Sequence, residues 1–352
     1  MVKTVGSITS FYLEDIGDLI VQGWASGENG EPLDSFLAQV GDEVFQPDDC
    51  SVQEPFAGFT DSNPSSSSGF TLRFSSAVGL DSSAKLFSLV PVLTGGHGEP
   101  MYFVIESPMS TPSDSLIDKI GGGGPMGFKS VAFDFLGHFI HKGGLVSGAK
   151  VLDIGCGVGR MAYALAHYLD SNGVYQGFDI CQESIDWANS EIGWFHPNFT
   201  FKRIDLQHDL YNPNGVVETL DFRFPYDDNF FDFVYLASVF THMSANEIRA
   251  YLHEIRRVLR PQGTCFLTAF LMDETSTDLC SEGKSSQNFA HRWDEGFTVN
   301  LERPEDAVAF EEDLFLDWLY QLGFEVKGRF PGYWSGRFHG HSYQDMLVLT
   351  SP

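Results

Sequence analysis

The sequence predicts an all-β domain followed by an α/β domain whose sheet has seven mostly parallel strands. The first observation is a series of short apolar segments, separated by turn residues, through residue 108. The second is the alternation of strand-like and helix-like segments after residue 128, which is typical of parallel sheets with helical crossovers. The third is the length of 352 residues, which is long for one domain and usual for two.

Residues 1–108 predict an immunoglobulin-like β-sandwich, because turn-rich stretches separate the segments GSITSFYL, LIVQGWA, SFLAQV, GFTLRFSS, KLFSLVPVL and MYFVIES. We expect Trp24 to lie in the core; an exposed ring for stacking on a sugar is the alternative. Residues 109–127 are rich in Ser and Pro and then in Gly, which predicts a linker. A helix should follow from about residue 128, with an apolar stripe of Val131, Phe135, Phe139 and Ile140.

Composition restricts the partners and the compartment. The net charge is −27, so neither nucleic acid nor an anionic membrane is an expected partner. No stretch of about 18 apolar residues occurs, so we expect no membrane span. The five cysteines have no metal-site spacing and the N-terminus lacks a signal-peptide pattern, which predicts free thiols in a cytoplasmic protein. The oligomeric state stays open.

The most informative motif is VLDIGCGVGR at residues 151–160. We expect it to form the turn between the first strand and the first helix of the α/β sheet, where such sheets bind ligands. Glycines at 155, 157 and 159 allow positive φ and let a ligand approach the backbone. They also leave amide groups exposed at a helix N-terminus.

Two ligand classes compete for this turn. A nicotinamide dinucleotide requires a small residue where the chain has Arg160. Asp153 would repel a pyrophosphate, but it suits the ammonium group of S-adenosylmethionine (SAM). Asp179 and Asp205 end the next two strands, where their carboxylates can accept hydrogen bonds from ribose hydroxyls and an adenine amino group. Helix capping is the alternative role of each acid alone, whereas the set of three favours SAM.

The segments VLDIGCGVGR, YQGFDI, FFDFVYLASVFTHM and RRVLRPQGTCFLT together resemble class I SAM-dependent methyltransferases over residues 128–352. The resemblance implies a Rossmann-like fold, methyl transfer and SAM as the cofactor. The segments SVFTHM, YLHEIRRVL, GYWSGR and SYQDMLVL are similar to a subgroup linked with glycan or secondary-metabolite methylation. The implied cofactor residues are Asp153, Gly155, Cys156 and Gly157 at the methionine end, Asp179 and Ile180 at the ribose, Asp205 and Leu206 at the adenine, and Ser238.

His242 is the candidate catalytic base. Methyl transfer from a sulfonium depends mainly on alignment, but a hydroxyl acceptor also needs a general base or a metal because it holds its proton tightly. His242 follows the fourth strand of the α/β domain, where the acceptor should meet the methyl group. A structural role at the strand end is the alternative.

The loop before the last strand supplies the candidate substrate residues Trp334, Arg337 and His341. Trp334 could form an aromatic floor for a sugar ring, or it could pack on the sheet edge. His339 and His341 with Asp345 could bind a metal, but exposed loop histidines are more common, so we predict no metal site. The polar segment 273–296 predicts a substrate-side insertion.

Three functions fit these residues. The first is methylation of a hydroxyl on a sugar, a glycan or a similar small polar molecule. The second is methylation of a protein or peptide that docks on the β-sandwich. The third is a non-catalytic SAM-binding protein, against which the intact Asp153, Gly155, Asp179 and Asp205 argue. The sequence does not separate the first two.

Overall fold

The computed structural model describes residues 4–13, 18–27, 31, 33–53, 68–75, 86–105, 107–208, 212–338 and 340–352. The chain forms two compact units. Unit 1 comprises Met1–His141, Val158–Tyr168 and Ser190–His196, and unit 2 comprises Lys142–Gly157, Leu169–Asn189 and Pro197–Pro352. All the predicted site residues belong to unit 2.

Unit 1 is built on two antiparallel sheets. One has the strand order β1-β2-β6-β5, with β1 (Thr4–Leu13), β2 (Leu19–Gly27), β5 (Asp49–Gln53) and β6 (Ser68–Phe74). The other contains β3 (Leu33–Val40), β4 (Glu43–Phe45), β7 (Leu86–Leu93), β8 (Gly96–His97) and β9 (Met101–Val104). Alternate residues of β7 are buried, as expected for a strand with one face on a core. Both sheets contribute to one hydrophobic cluster, which includes Val21, Phe36, Leu72 and Phe103.

The predicted linker is partly helical. Helix α1 spans Asp114–Asp118, and α2 spans Gly124–His141, so α2 begins within the glycine run rather than at residue 128. Only Phe139 of the predicted apolar stripe is buried; Val131, Phe135 and Ile140 are partly exposed. The buried face of α2 consists of Phe128, Ala132, Phe133, Leu136 and Phe139. The reason is that α2 packs against both α3 (Arg160–Leu165) and β1, through contacts such as Phe128 with Tyr163 and Ser130 with Ile8. Trp24 is buried, as expected.

Unit 2 contains a mixed sheet of ten strands. Seven have the order β12-β11-β10-β13-β14-β19-β18, namely β10 (Lys150–Ile154), β11 (Val174–Asp179), β12 (Phe199–Arg203), β13 (Phe231–Leu236), β14 (Leu259–Met272), β18 (Glu325–Phe330) and β19 (Asp345–Thr350). The strands from β12 to β14 are parallel, and β19 runs antiparallel to β14 and β18. The strand order reverses at β10, which places the glycine turn at the usual ligand-binding edge.

Three strands of unit 2 were not predicted: β15 (His291–Trp293), β16 (Gly296–Thr298) and β17 (Val308–Glu311). They extend the sheet because β14 is forked, with residues 264–269 paired to β19 and residues 270–272 paired to β17. We call residues 273–311 the sheet extension; it also contains α6 (Glu274–Ser281). The predicted polar insertion is therefore a folded part of the sheet. Its core is the cluster Phe270, Met272, Phe289, Ala307, Ala309 and Trp334.

Helices α4 (Gln182–Ala188), α5 (Ala245–Val258) and α7 (Glu312–Gln321) complete unit 2. Helix α5 starts with a capping box in which Ser244 and Glu247 satisfy each other's backbone amides. Its apolar residues Ile248, Leu252 and Ile255 recur at helical spacing and are buried in the core of unit 2. No helix in the described part of the chain has the length and apolar character that a membrane crossing requires.

Candidate functional site

The glycine turn connects the end of β10 to α3. Gly155, Gly157 and Gly159 have φ of 73°, 53° and 74°, so the predicted need for positive φ is confirmed. The amides of Gly155 and Cys156 donate to the carbonyl of Phe178 at 2.9 and 3.0 Å, which anchors the turn to β11. A Cβ on Gly155 would lie 2.5 Å from Cγ2 of Val239, so the close approach at this glycine is made by the loop after β13.

Asp153 lies inside the sheet, where it is 3% exposed. One of its oxygens, Oδ2, accepts hydrogen bonds from the hydroxyls of Tyr175 at 2.6 Å and Tyr235 at 2.7 Å, which links β10 to both neighbouring strands. Burial raises the pKa of Asp153 to about 7, since the two tyrosine bonds only partly offset the loss of hydration and Asp179 adds a nearby charge. At neutral pH this carboxyl therefore does not hold a full negative charge.

Asp179 joins the glycine turn to the end of β11. Its Oδ2 accepts from the amide of Gly157 and its Oδ1 from the amide of Cys181, both at 2.8 Å. Burial raises the pKa of Asp179, whereas these amide bonds lower it. Next to it, Ile180 packs partly buried against the core of unit 2. Cys156 is buried, and burial raises the pKa of its thiol.

Asp205 follows β12, and its carboxylate accepts hydrogen bonds from two side chains that sequence reasoning did not identify. Its Oδ1 accepts from Nη2 of Arg203 at 2.7 Å and from Nδ2 of Asn212 at 3.1 Å. Leu206 is buried and forms a bridge with Val217. The role of both residues at an adenine stays a prediction.

Ser238 lies two residues beyond β13, is exposed, and has a left-handed backbone with φ 59°. Its amide donates to Oγ1 of Thr268 at 2.8 Å, and its Oγ accepts from Nε2 of Gln344 at 2.6 Å. Sequence reasoning missed Thr268 and Gln344. The hydroxyl of Thr268 within the apolar run FLTAFL was the signal that could have indicated one of them.

His242 ends a short 3₁₀ turn, Phe240–His242, and is half-buried. Its Nδ1 lies 2.7 Å from the carbonyl oxygen of Glu305. Because a carbonyl only accepts, Nδ1 carries the hydrogen and the lone pair of the neutral ring is on Nε2. Burial lowers the pKa of His242 more than Glu305 and Asp306 raise it, so the ring is neutral at pH 7. Neutral imidazole is the form that removes a proton.

The structure contradicts the predicted role of Trp334 as an aromatic floor. Its ring is fully buried between Phe270 and Phe289, with centroids 5.2 and 5.3 Å away. Its Nε1 donates to Oδ2 of Asp345 at 2.8 Å. The enclosed ring cannot stack on a sugar, and the alternative of packing at the sheet edge is correct.

The other two substrate candidates lie nearby in the chain. Arg337 pairs with Asp273, and the edge of the His341 ring packs on Phe330 with centroids 5.3 Å apart. Asp345 also accepts from the amides of Gly332 and Leu271, so its carboxylate has a structural role.

No group of three or more potential metal ligands occurs among the residues that the structure describes. His339, which the metal hypothesis requires, lies outside the described residues.

Comparison with known proteins identifies the domain that carries this site. Residues 151–263 match the family model described as a methyltransferase domain. These residues carry a methyltransferase domain. Its cofactor is SAM, and the positive-φ turn beside the carboxylate of Asp179 fits an adenosyl ligand.

The curated relatives are similar to this chain over part of their length. An arsenite methyltransferase of Aquipseudomonas alcaligenes is 28% identical over 134 residues, which are 38% of this chain and 36% of the relative. A sterol 24-C-methyltransferase of Yarrowia lipolytica is 28% identical over 204 residues, 54% of this chain and 49% of the relative. The chain thus spans half or less of these relatives. A solved SAM-dependent methyltransferase from Aquifex aeolicus has a TM-score of 0.44 and 17% identity, covering 69% of this chain and all of that one.

Proposed function

We propose that this methyltransferase domain transfers the methyl group of SAM to a hydroxyl of a sugar, a glycan or a related small polar molecule. The observation that carries the proposal is the fixed tautomer of His242, whose Nδ1 hydrogen is held by Glu305. An amine or a thiolate needs no such base, whereas a hydroxyl does. The names of the relatives, which are arsenite and sterol methyltransferases, support a small acceptor over a protein.

In this proposal the chain aligns two ligands and removes one proton. SAM, when bound, supplies an activated methyl group. The proposed cofactor residues are Asp153, Gly155, Cys156, Gly157, Asp179, Ile180, Asp205, Leu206 and Ser238. Nε2 of His242 takes the proton of the acceptor hydroxyl while its Nδ1 hydrogen bond to Glu305 keeps the ring oriented.

We further propose that residues 1–108 form a β-sandwich accessory module, and that the protein is cytoplasmic. The shared hydrophobic cluster of the two sheets supports the sandwich. The five unpaired cysteine thiols support a reducing compartment.

The test is a transfer screen with radiolabelled SAM across free sugars, nucleotide sugars and glycans, with and without His242. We expect His242→Ala to keep SAM affinity by calorimetry but to lose turnover by about 10²–10⁴-fold, the usual contribution of a general base. His253→Ala, on the exposed face of α5, is the matched control.

The pH dependence gives a second readout. Because the pKa of His242 is lowered, turnover should rise with pH only below about 6.5 and stay level above it, and His242→Ala should lose this limb. Full turnover by His242→Ala would place the base elsewhere.

A further inference from the structure

The backbone of Ser238 is left-handed, with φ 59°, directly after a buried strand. It is one of four described residues other than glycine with positive φ. The other three are exposed: Asn229 and Asp294 lie in turns, and Gln262 lies near the start of β14. Ser238 instead follows β13, a parallel strand that is mostly buried in the sheet. A left-handed serine persists only where the surrounding structure holds it, and such residues cluster at functional sites.

Three hydrogen bonds hold Ser238 in a closed ring. Its amide donates to Oγ1 of Thr268 at 2.8 Å, and Oγ1 of Thr268 donates to Oε1 of Gln344 at 2.5 Å. Nε2 of Gln344 then donates to Oγ of Ser238 at 2.6 Å. Thr268 is 1% exposed on β14, and Gln344 directly precedes β19. The ring therefore ties the end of β13 to its neighbour β14 and to the start of β19, which lies on the other side of β14.

The residue after Ser238 contacts the glycine turn. A Cβ added to Gly155 would lie only 2.5 Å from Cγ2 of Val239. The side chain of Val239 therefore packs directly against the Cα of Gly155. The direction of Val239 is set by the backbone of Ser238. If Ser238 relaxed to an extended or right-handed conformation, Val239 would leave Gly155 and the turn would lose this support.

We propose that Thr268 and Gln344 are positioning residues of the cofactor site. Their hydrogen bonds keep Ser238 left-handed, which holds Val239 against Gly155 and fixes the turn in the shape that receives SAM. Neither residue has to touch SAM. The inference rests on the proposed cofactor site. It makes Gln344, which directly precedes β19, part of the support of that site.

The experiment measures SAM and S-adenosylhomocysteine binding by calorimetry, together with the melting temperature. For Gln344→Leu and Thr268→Val we expect the Kd to rise about tenfold. The melting temperature should change little, because the lost hydrogen bonds and the released backbone strain oppose each other. Thr264→Val is the matched control, since Thr264 lies on β14 beside Phe233 rather than beside the end of β13, and this variant should bind as the wild type does.

Two substitutions of the exposed Ser238 separate positioning from direct contact. Glycine adopts this φ without strain, so Ser238→Gly should weaken SAM binding only about twofold, whereas Ser238→Ala should weaken it about tenfold. Equal losses in the two variants would indicate direct contact of the hydroxyl with SAM and overturn the inference. If Gln344→Leu and Thr268→Val bind SAM as tightly as the wild type does, the positioning role is wrong but the cofactor site stands. If the wild-type chain binds neither SAM nor S-adenosylhomocysteine, the cofactor site is wrong as well.

Discussion

At the scale of single residues, Asp153 couples the sheet to pH. Its folded-state pKa of about 7 lies above the ordinary value of 3.8, so the folded state binds this proton more tightly than the unfolded chain does. Its effect on the free energy of unfolding is therefore most favourable below pH 4. That stability is lost as pH rises from about 4 to about 7, by an amount on the order of a few kcal/mol.

Asp153→Asn should remove this dependence, because an amide does not titrate here and its oxygen can still accept from Tyr175 and Tyr235. We expect urea unfolding at several pH values to show the variant gaining on the wild type between pH 4 and pH 7. Asp317→Asn, an exposed change on α7, is the control and should follow the wild type. A constant difference between Asp153→Asn and the wild type across this range would contradict the assignment.

At the scale of elements, the sheet extension depends on one buried ring. Trp334 packs on Phe270 of β14 and Phe289 of the extension, and it donates to Asp345 of β19. Trp334→Ala should lower the free energy of unfolding by about 3–5 kcal/mol, as truncation of a buried aromatic ring does. Trp194→Ala, at a site 79% exposed, should change it by less than about 0.5 kcal/mol in urea titrations. Equal effects would mean that Trp334 is not enclosed.

The elements also show what a single sequence can predict. Buried runs such as KVLDI and FDFVYL carry strong strand signals, so the seven main strands and the glycine turn were predictable. Strands β15 and β16 have three residues each, too few for a periodic pattern. The ring of Ser238, Thr268 and Gln344 joins residues up to 106 positions apart, and only the folded register brings them together.

At the scale of the whole molecule, unit 1 is not confined to the N-terminal segment. It includes α3, whose Tyr163 is buried against Phe128 and Phe133 of α2. A fragment that starts at residue 142 therefore lacks the helix that covers the apolar face of α3.

The expected result is that the full chain is folded and binds SAM, whereas residues 142–352 aggregate because the apolar face of α3 loses its cover. Gel filtration, circular dichroism and SAM calorimetry on the full chain and on this fragment test this. A folded, SAM-binding 142–352 fragment would show that α2 is dispensable.

The fork in β14 has a consequence for protein engineering. Residues 264–269 of this strand complete the seven-stranded sheet, while residues 270–272 carry the extension through β17. The extension also contains Glu305, whose carbonyl oxygen holds the ring of His242. Replacing residues 273–311 would therefore keep the pairing of β14 with β19 but remove the group that orients the proposed base, so a chimaera joined after residue 272 has to supply a carbonyl oxygen at that place.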